Sequence, residues 1–290
     1  MNRMADLTSA LLDLLHELEE VDIKLIIGGG FGIYLRYREF QRTHPRTLLR
    51  ELPEPRSTND LDLFLKAELL VDPERVTALS RALNHLGYEA VEAAKYYQFM
   101  KRGPGPDVGN AGSVKIDILT GPQRVFEAMG LRTDARRVRP KSLAHLHAHP
   151  VNEALTLEER LTPLKLDGRL TGGEAASGEV FLPHPFTYLM MKLFAFRDCM
   201  NDTAKDHGRH HALDMYTIVA LMTEEDWDSS VGMFAAHRGD PKIEEACGLI
   251  DKLFGSELDF GVLRLKENPY YRPEFQIADF LKALRDLFKR

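Results

Sequence analysis

Cysteine is scarce. Cys199 and Cys247 are the only two in 290 residues; they form no metal-type spacing and no disulfide framework, so a reducing compartment, the cytoplasm, is expected. No apolar run approaches the roughly 20 residues that a membrane span needs. The N-terminal stretch carries Leu11, Leu12, Leu15 and Leu18 at helical spacing among acids, which reads as an amphipathic helix rather than a signal peptide. Neither a membrane partner nor export is expected. A surplus of positive charge is also missing. The net charge of −6 argues against a protein that coats nucleic acid non-specifically, since such binding needs excess Lys and Arg to displace counterions. Internal repeats, heptads and long low-complexity tracts are absent as well. What remains is an ordinary globular composition, 44% hydrophobic and 28% charged, on a chain long enough for two domains or one large one.

Charge is nevertheless unevenly placed. Residues 36–56 hold Arg36, Arg38, Arg42, Arg46, Arg50 and Arg56 against Glu39, Glu51 and Glu54, and residues 131–141, LRTDARRVRPK, hold four Arg and one Lys against Asp134. Two basic segments on an acidic protein could guide one polyanion to one place. Either segment alone reads rather as a solvated loop with surface ion pairs.

The apolar run Ile23 to Ile27 reads as a short buried strand ending in Gly28-Gly29-Gly30, and FGIYLRYREF as the helix after it. A strand carrying Asp60 and Asp62 follows the Arg-rich insert. Asp72 and Pro73 open another helix as cap and first-turn proline, stopped by Gly87. Tyr96 to Met100 reads as a strand, GPGPDVGNAG as a flexible loop, and VKIDILTG as an alternating strand. This order implies a mixed sheet flanked by helices. After the Gly-rich stretch DGRLTGGEAASGE and a short EVFLP strand, helical patterns dominate at 185–200, 209–222, 224–237, 241–254 and 273–289. The expected division is a first domain over 1–150 and a mainly helical one over 151–290.

In RSTNDLDLFL, residues 56–65, the period of two sends Asp60 and Asp62 to the same face of a strand. Acids near turns often just sit in water. Two carboxylates that close repel, however, and burying either requires a compensating cation or donor. Asp117 could project from the same sheet face, and three carboxylates at one end of a sheet can hold two Mg²⁺ for an in-line phosphoryl displacement. A Gly turn between a buried strand and a helix is a natural phosphate seat. GGGFG has neither the dinucleotide fingerprint spacing nor the Lys-Ser/Thr of a P-loop.

The ordered set of a hydrophobic-Gly-Gly turn, DLD at 60–62 and KID at 115–117 resembles the nucleotidyltransferase superfamily that includes DNA polymerase beta. RSTNDLD, VKIDIL and HPFTYLMMKLFAFRD look most similar to the bacterial AbiEii-type toxins and their minimal nucleotidyltransferase relatives. The resemblance covers roughly residues 22–220. It implies a nucleotidyltransferase-like mixed sheet followed by a helical domain, with Asp60, Asp62 and Asp117 as catalytic metal ligands and two Mg²⁺ as cofactors. It further implies an NTP bound by Gly29, Gly30, Ser57, Thr58, Lys192, Arg197, Lys205, Asp206, Arg209 and Asp214. Lys192 also stands out on its own residues: Leu189, Met190, Met191, Leu193, Phe194 and Phe196 surround it, and a lone charge on so apolar a helix needs a reason. One departure is the thirty positions between Gly30 and Asp60, where the family more often has a short connection. Another is His210 and His211, which stand where the family suggests other polar residues and could equally be exposed histidines at a helix start.

The implied activity is transfer of an NMP from an NTP to an acceptor hydroxyl, on a tRNA 3′ end or a protein, and the resemblance suggests a toxin held by a cognate antitoxin. Rival readings are a small-molecule nucleotidyltransferase of the antibiotic-modifying kind, whose acceptor pocket would be acidic, and a non-catalytic binding module of the same fold. HLHAH at 145–149 invites a zinc reading through His145, His147 and His149, but neither a Glu of the HExxH kind nor a cysteine accompanies it.

Overall fold

The computed structural model describes residues 3–54, 56, 58–94, 96–101, 113–142 and 144–289. Ser57 and all of GPGPDVGNAG lie outside the described residues. The chain groups into two units, Met1–Gly32 with Ser57–Pro183, and Ile33–Arg56 with His184–Arg290.

The first unit runs, in chain order, through α1 (Arg3–Glu17), β1 (Ile26–Ile27), the opening of α2 (Gly29–Thr43), β2 (Asp60–Leu65), α3 (Ala67–Val71), α4 (Pro73–His85), β3 (Glu89–Ala90), β4 (Gln98–Lys101), β5 (Val114–Thr120), α5 (Gln123–Ala128), β6 (Arg132–Asp134), β7 (Arg137–Arg139), β8 (His149–Pro150), β9 (Thr162–Arg169) and β10 (Ala175–Leu182). Among the described residues, eight strands form one mixed sheet in the order β3-β4-β5-β2-β1-β10-β9, with β8 joined to β5, while β6 and β7 pair separately. The pairs β2–β5, β1–β10 and β5–β8 are parallel. The expected mixed sheet flanked by helices is thus what forms.

Local chemistry accounts for several of these boundaries. Asp72 caps α4 by accepting from Glu74 N and Arg75 N, Pro73 fills the first turn, and Gly87 leaves the helix at φ +80°. In β2 and β5, Leu61, Leu63, Ile116 and Ile118 are fully buried while Asp60, Asp62, Lys115 and Asp117 are not, the half-buried alternation expected of strands with one polar face.

The Gly-rich stretch DGRLTGGEAASGE forms the end of a long hairpin. β9 and β10 pair antiparallel over eight residues each, from Thr162↔Leu182 to Arg169↔Ala175. Helix α1 lies on this hairpin: a Cβ at Gly168 would meet Leu12 at 2.9 Å, and one at Gly178 would meet Leu15 at 2.8 Å. These glycines are needed for close packing. Because β10 pairs with β1 in the sheet, the first unit extends to Pro183, beyond the expected division at 150/151.

The second unit begins inside α2, at Ile33. It contains α6 (Pro185–Cys199), α7 (Arg209–Leu221), α8 (Glu224–His237), α9 (Pro241–Leu253), α10 (Phe260–Lys266) and α11 (Ile277–Leu287). Helices α6 and α7 are buried almost all round, so they form the centre of this unit. Residues 44–54 are bound to its helices: Leu48 N–H donates to Met222 O (2.9 Å), the Tyr216 hydroxyl donates to Glu51 O (3.0 Å), and Arg50 N–H donates to Gln276 Oε1 (2.6 Å). No helix among the described residues is long and apolar enough to cross a membrane. Cys199 and Cys247 are both buried.

Candidate functional site

Parallel pairing of β2 with β5 sets Asp60 opposite Lys115 and Asp62 opposite Asp117. Partners directly across a sheet share a face, so the three expected carboxylates stand on one surface with a lysine among them. Lys115 Nζ lies 3.0 Å from Asp117 Oδ2 and 3.4 Å from Asp60 Oδ2. Asp60 is 43% exposed at its side chain, whereas Asp117 is only 14% exposed.

Asp117 Oδ1 is buried without a hydrogen-bond partner. Burial raises the Asp117 pKa above the ordinary carboxylate value; the Lys115 ammonium opposes this only in part, the Asp60 charge adds to it, and Gln98, its neighbour on β4, donates a hydrogen bond. Burial pulls the Lys115 pKa down, but the carboxylates of Asp117 and Asp60 outweigh it and hold the ammonium above its usual value.

The glycine turn faces this surface. Gly28 N–H donates to Asp62 O (2.8 Å), and the helical bonding of α2 begins with Gly32 N–H to Gly28 O (2.9 Å). Gly29 has φ +59°, and a Cβ built on it would overlap the Asp62 carboxylate. Only glycine meets both demands. A Cβ on Gly28 would collide with the Phe64 ring. The steric requirement therefore falls on Gly28 and Gly29, while Gly30 is a buried residue of the first turn of α2. Thr58 Oγ1 accepts from Asp60 N–H at 3.3 Å, which turns the chain into β2.

The second unit holds a separate buried charge cluster. Asp214 on α7 accepts from Arg56 Nε and Nη2, both at 3.1 Å, and from Lys192 Nζ on α6 at 2.7 Å. The Lys192 side chain is 7% exposed and that of Asp214 5%. Burial would raise the Asp214 pKa, but Lys192 and Arg56 together hold it well below the usual carboxylate range. The charge on the apolar α6 has its reason in this partner.

His210 and His211 open α7 beside the same cluster, with ring centroids 3.9 Å apart. Burial, then the Arg56 charge, brings the His210 pKa down to about 4, and burial, then Lys192, depresses His211 as well. They are therefore not exposed histidines. Three left-handed residues precede them, Asp206 at φ 53°, His207 at φ 50° and Gly208 at φ 71°.

The other expected nucleotide ligands are engaged elsewhere. Arg197 pairs with Asp198 at 2.7 Å and with Glu245, and its guanidinium lies 4.7 Å from the Phe194 ring centre. Arg209 pairs with Asp206, and Lys205 is exposed. His145 and His147 pack on Tyr96 and His149 on Tyr97, so the HLHAH histidines serve aromatic contacts. Sequence reasoning gave Lys115 and Gln98 no role, counted Arg56 only as one charge of the basic segment 36–56, and preferred Gly29 and Gly30 to Gly28. For Lys115 a signal existed, since it shares a face with Asp117, but its place opposite Asp60 follows only from the pairing of β2 with β5.

The chain matches no protein-family model, no curated protein and no solved structure at a significant level.

Proposed function

We propose that the protein is a Mg²⁺-dependent nucleotidyltransferase that moves an NMP from an NTP to an acceptor hydroxyl. The observation that carries this reading is the carboxylate face of β2 and β5, set against a glycine turn that leaves room for Asp62. Hard carboxylate oxygens suit Mg²⁺, and the buried, unpartnered Oδ1 of Asp117 lacks what a cation would supply. Among the described residues no group of three or more His, Cys, Asp or Glu is arranged as a finished metal cage; the Lys115 ammonium stands between two of the acids. Asp60, Asp62 and Asp117 would hold the ions, two in the superfamily resembled, and bound Mg²⁺ would neutralise the charge developing on the reacting phosphates.

The chain's own residues account for the remaining steps. The first turn of α2 at Gly29 and Gly30 offers the positive end of a helix to a phosphate. Asp117, its pKa raised by burial, takes the proton from the acceptor hydroxyl. The acceptor oxygen bonds to the α-phosphorus, the bond from that phosphorus to the bridging oxygen breaks, and pyrophosphate leaves with the electron pair.

RNA, a tRNA 3′ end in particular, is the acceptor favoured here, with a protein hydroxyl as the alternative and a cognate antitoxin as a further partner; the cytoplasm is the setting. Supporting a nucleic-acid acceptor, Arg46, Arg50 and Lys282 line an open groove of about 740 Å³ in the second unit with Trp227, against two acids, Asp279 and Asp286. Cations beside an aromatic ring suit an unpaired nucleotide. Incubating the protein with each α-labelled NTP, Mg²⁺ and total cell RNA should label an RNA band, and Asp62→Asn should abolish the label while the fold persists. A label on protein alone would move the acceptor to protein. No label from any nucleotide would remove the reading.

A further inference from the structure

Lys115 is built into the sheet. It is the Cα partner of Asp60 across β2–β5 and shares a face with Asp117 two residues along β5. Its ammonium bridges Asp60 and Asp117 at 3.4 and 3.0 Å, with 27% of the side chain exposed. Under the proposed function, on which this inference rests, two ions would share the three acids, and the one beside the acceptor would be the one at Asp117, which takes the acceptor's proton. We propose that Lys115 permanently takes the place of that ion, so that the protein works with one divalent cation, which Asp60, Asp62 and the unpartnered Oδ1 of Asp117 would hold.

Charge balance favours this arrangement. The three carboxylates carry −3, which one divalent ion and one ammonium neutralise; two divalent ions beside Lys115 would leave an excess of +2 before any nucleotide arrived. Space points the same way. Paired metal ions stand about 3.5–4 Å apart and need carboxylate oxygens at roughly 2.0–2.1 Å, whereas here an ammonium already occupies the hydrogen-bonding sector shared by Asp60 and Asp117. The consequence is a site whose acceptor side is set by the protein, with only the nucleotide side dependent on metal concentration.

The test counts ions directly. Mn²⁺ is titrated by electron paramagnetic resonance into the full chain, alone and with an α,β-non-hydrolysable NTP analogue. Wild type should bind one Mn²⁺ per chain at the carboxylate site, lost in Asp62→Asn. Lys115→Gln should bind two, and Lys115→Arg should return to one, a pattern that a merely structural lysine would not produce; thermal melts confirm that each variant is folded. Two ions in wild type would overturn the inference and leave the proposed function standing, a result that needs no variant at all. One ion in both wild type and folded Lys115→Gln would also overturn it. No Mn²⁺ bound in wild type, with or without nucleotide, would remove the inference and the metal-dependent reading together.

Discussion

Replacing Asp214 by Asn is the most informative single perturbation of the second unit. Asp214 is the one anion in a buried ion-paired trio, and its side chain accepts three short polar contacts, two from Arg56 and one from Lys192. Asn keeps the shape and one acceptor but leaves two cations facing each other. Arg56, 21% exposed at its side chain, can turn partly to water; Lys192 at 7% cannot. At an effective dielectric constant of about 20, each lost contact near 4 Å would be worth about 4 kcal/mol before desolvation is subtracted. Removing one partner of a buried pair typically costs about 3–5 kcal/mol net. We expect that range for Asp214→Asn, a large share of the roughly 5–15 kcal/mol that stabilises a typical protein. Lys192→Met should be milder, because its neighbours on α6 are apolar and Asp214 keeps Arg56. The double variant should therefore be more stable than the sum of the two losses implies, with a coupling of about 1–3 kcal/mol. Urea denaturation followed by circular dichroism at pH 7 reads all four proteins. A loss below about 1 kcal/mol for Asp214→Asn, or strict additivity, would refute the reasoning.

Three further outcomes follow from the same structure. Gly29→Ala should lose about 1–2 kcal/mol from its left-handed backbone alone and should weaken metal-dependent nucleotide binding by displacing Asp62; calorimetric titration of both properties checks this, and unchanged binding would mean that the turn tolerates a side chain. Because the folded-state pKa of His210 lies near 4 and its unfolded value near 6.5, the unfolded chain binds more protons between these limits. Stability from this group is thus full above about pH 6.5 and falls with pH, by up to roughly 1.4 kcal/mol per unit before allowance for solvent at the ring; urea midpoints at pH 7.5, 6 and 5 should decline in wild type and decline less in His210→Gln. Replacing Arg46 and Arg50 by Gln should lower RNA affinity and reduce the slope of log affinity against log salt by about 0.7–0.9 per lost phosphate contact, whereas an unchanged slope in a filter-binding assay would take the groove out of acceptor binding.

Much of the framework was legible because local chemistry set it. The Asp72-Pro73 start and Gly87 stop of α4, the alternation of β2 and β5, and the apolar α6 all carry signals within a few residues. Of the β9–β10 hairpin only the EVFLP end was legible. Its buried residues are few, chiefly Leu164, Leu166, Val180 and Leu182, and TGGEAASGE resembles a linker until Gly168 and Gly178 are seen beneath Leu12 and Leu15. The helix α10 was missed as well, being only seven residues long. For the site, the carboxylate face could be read from the period of two, but the Lys115 contact to Asp60 depends on strand register. The Arg56–Asp214 pair, 158 positions apart, leaves no periodic trace, and so the insert's last arginine was read as a possible acceptor ligand when it closes a buried ion cluster.

The central claim is that this carboxylate face transfers a nucleotidyl group, and the position of the label in the NTP tests it most directly. With RNA as acceptor and Mg²⁺ present, α-labelled NTP should leave its label on the RNA while γ-labelled NTP releases its label only as pyrophosphate, and Asp62→Asn should do neither. Label from the γ position on the acceptor, or α-label transfer undiminished in Asp62→Asn, would contradict it.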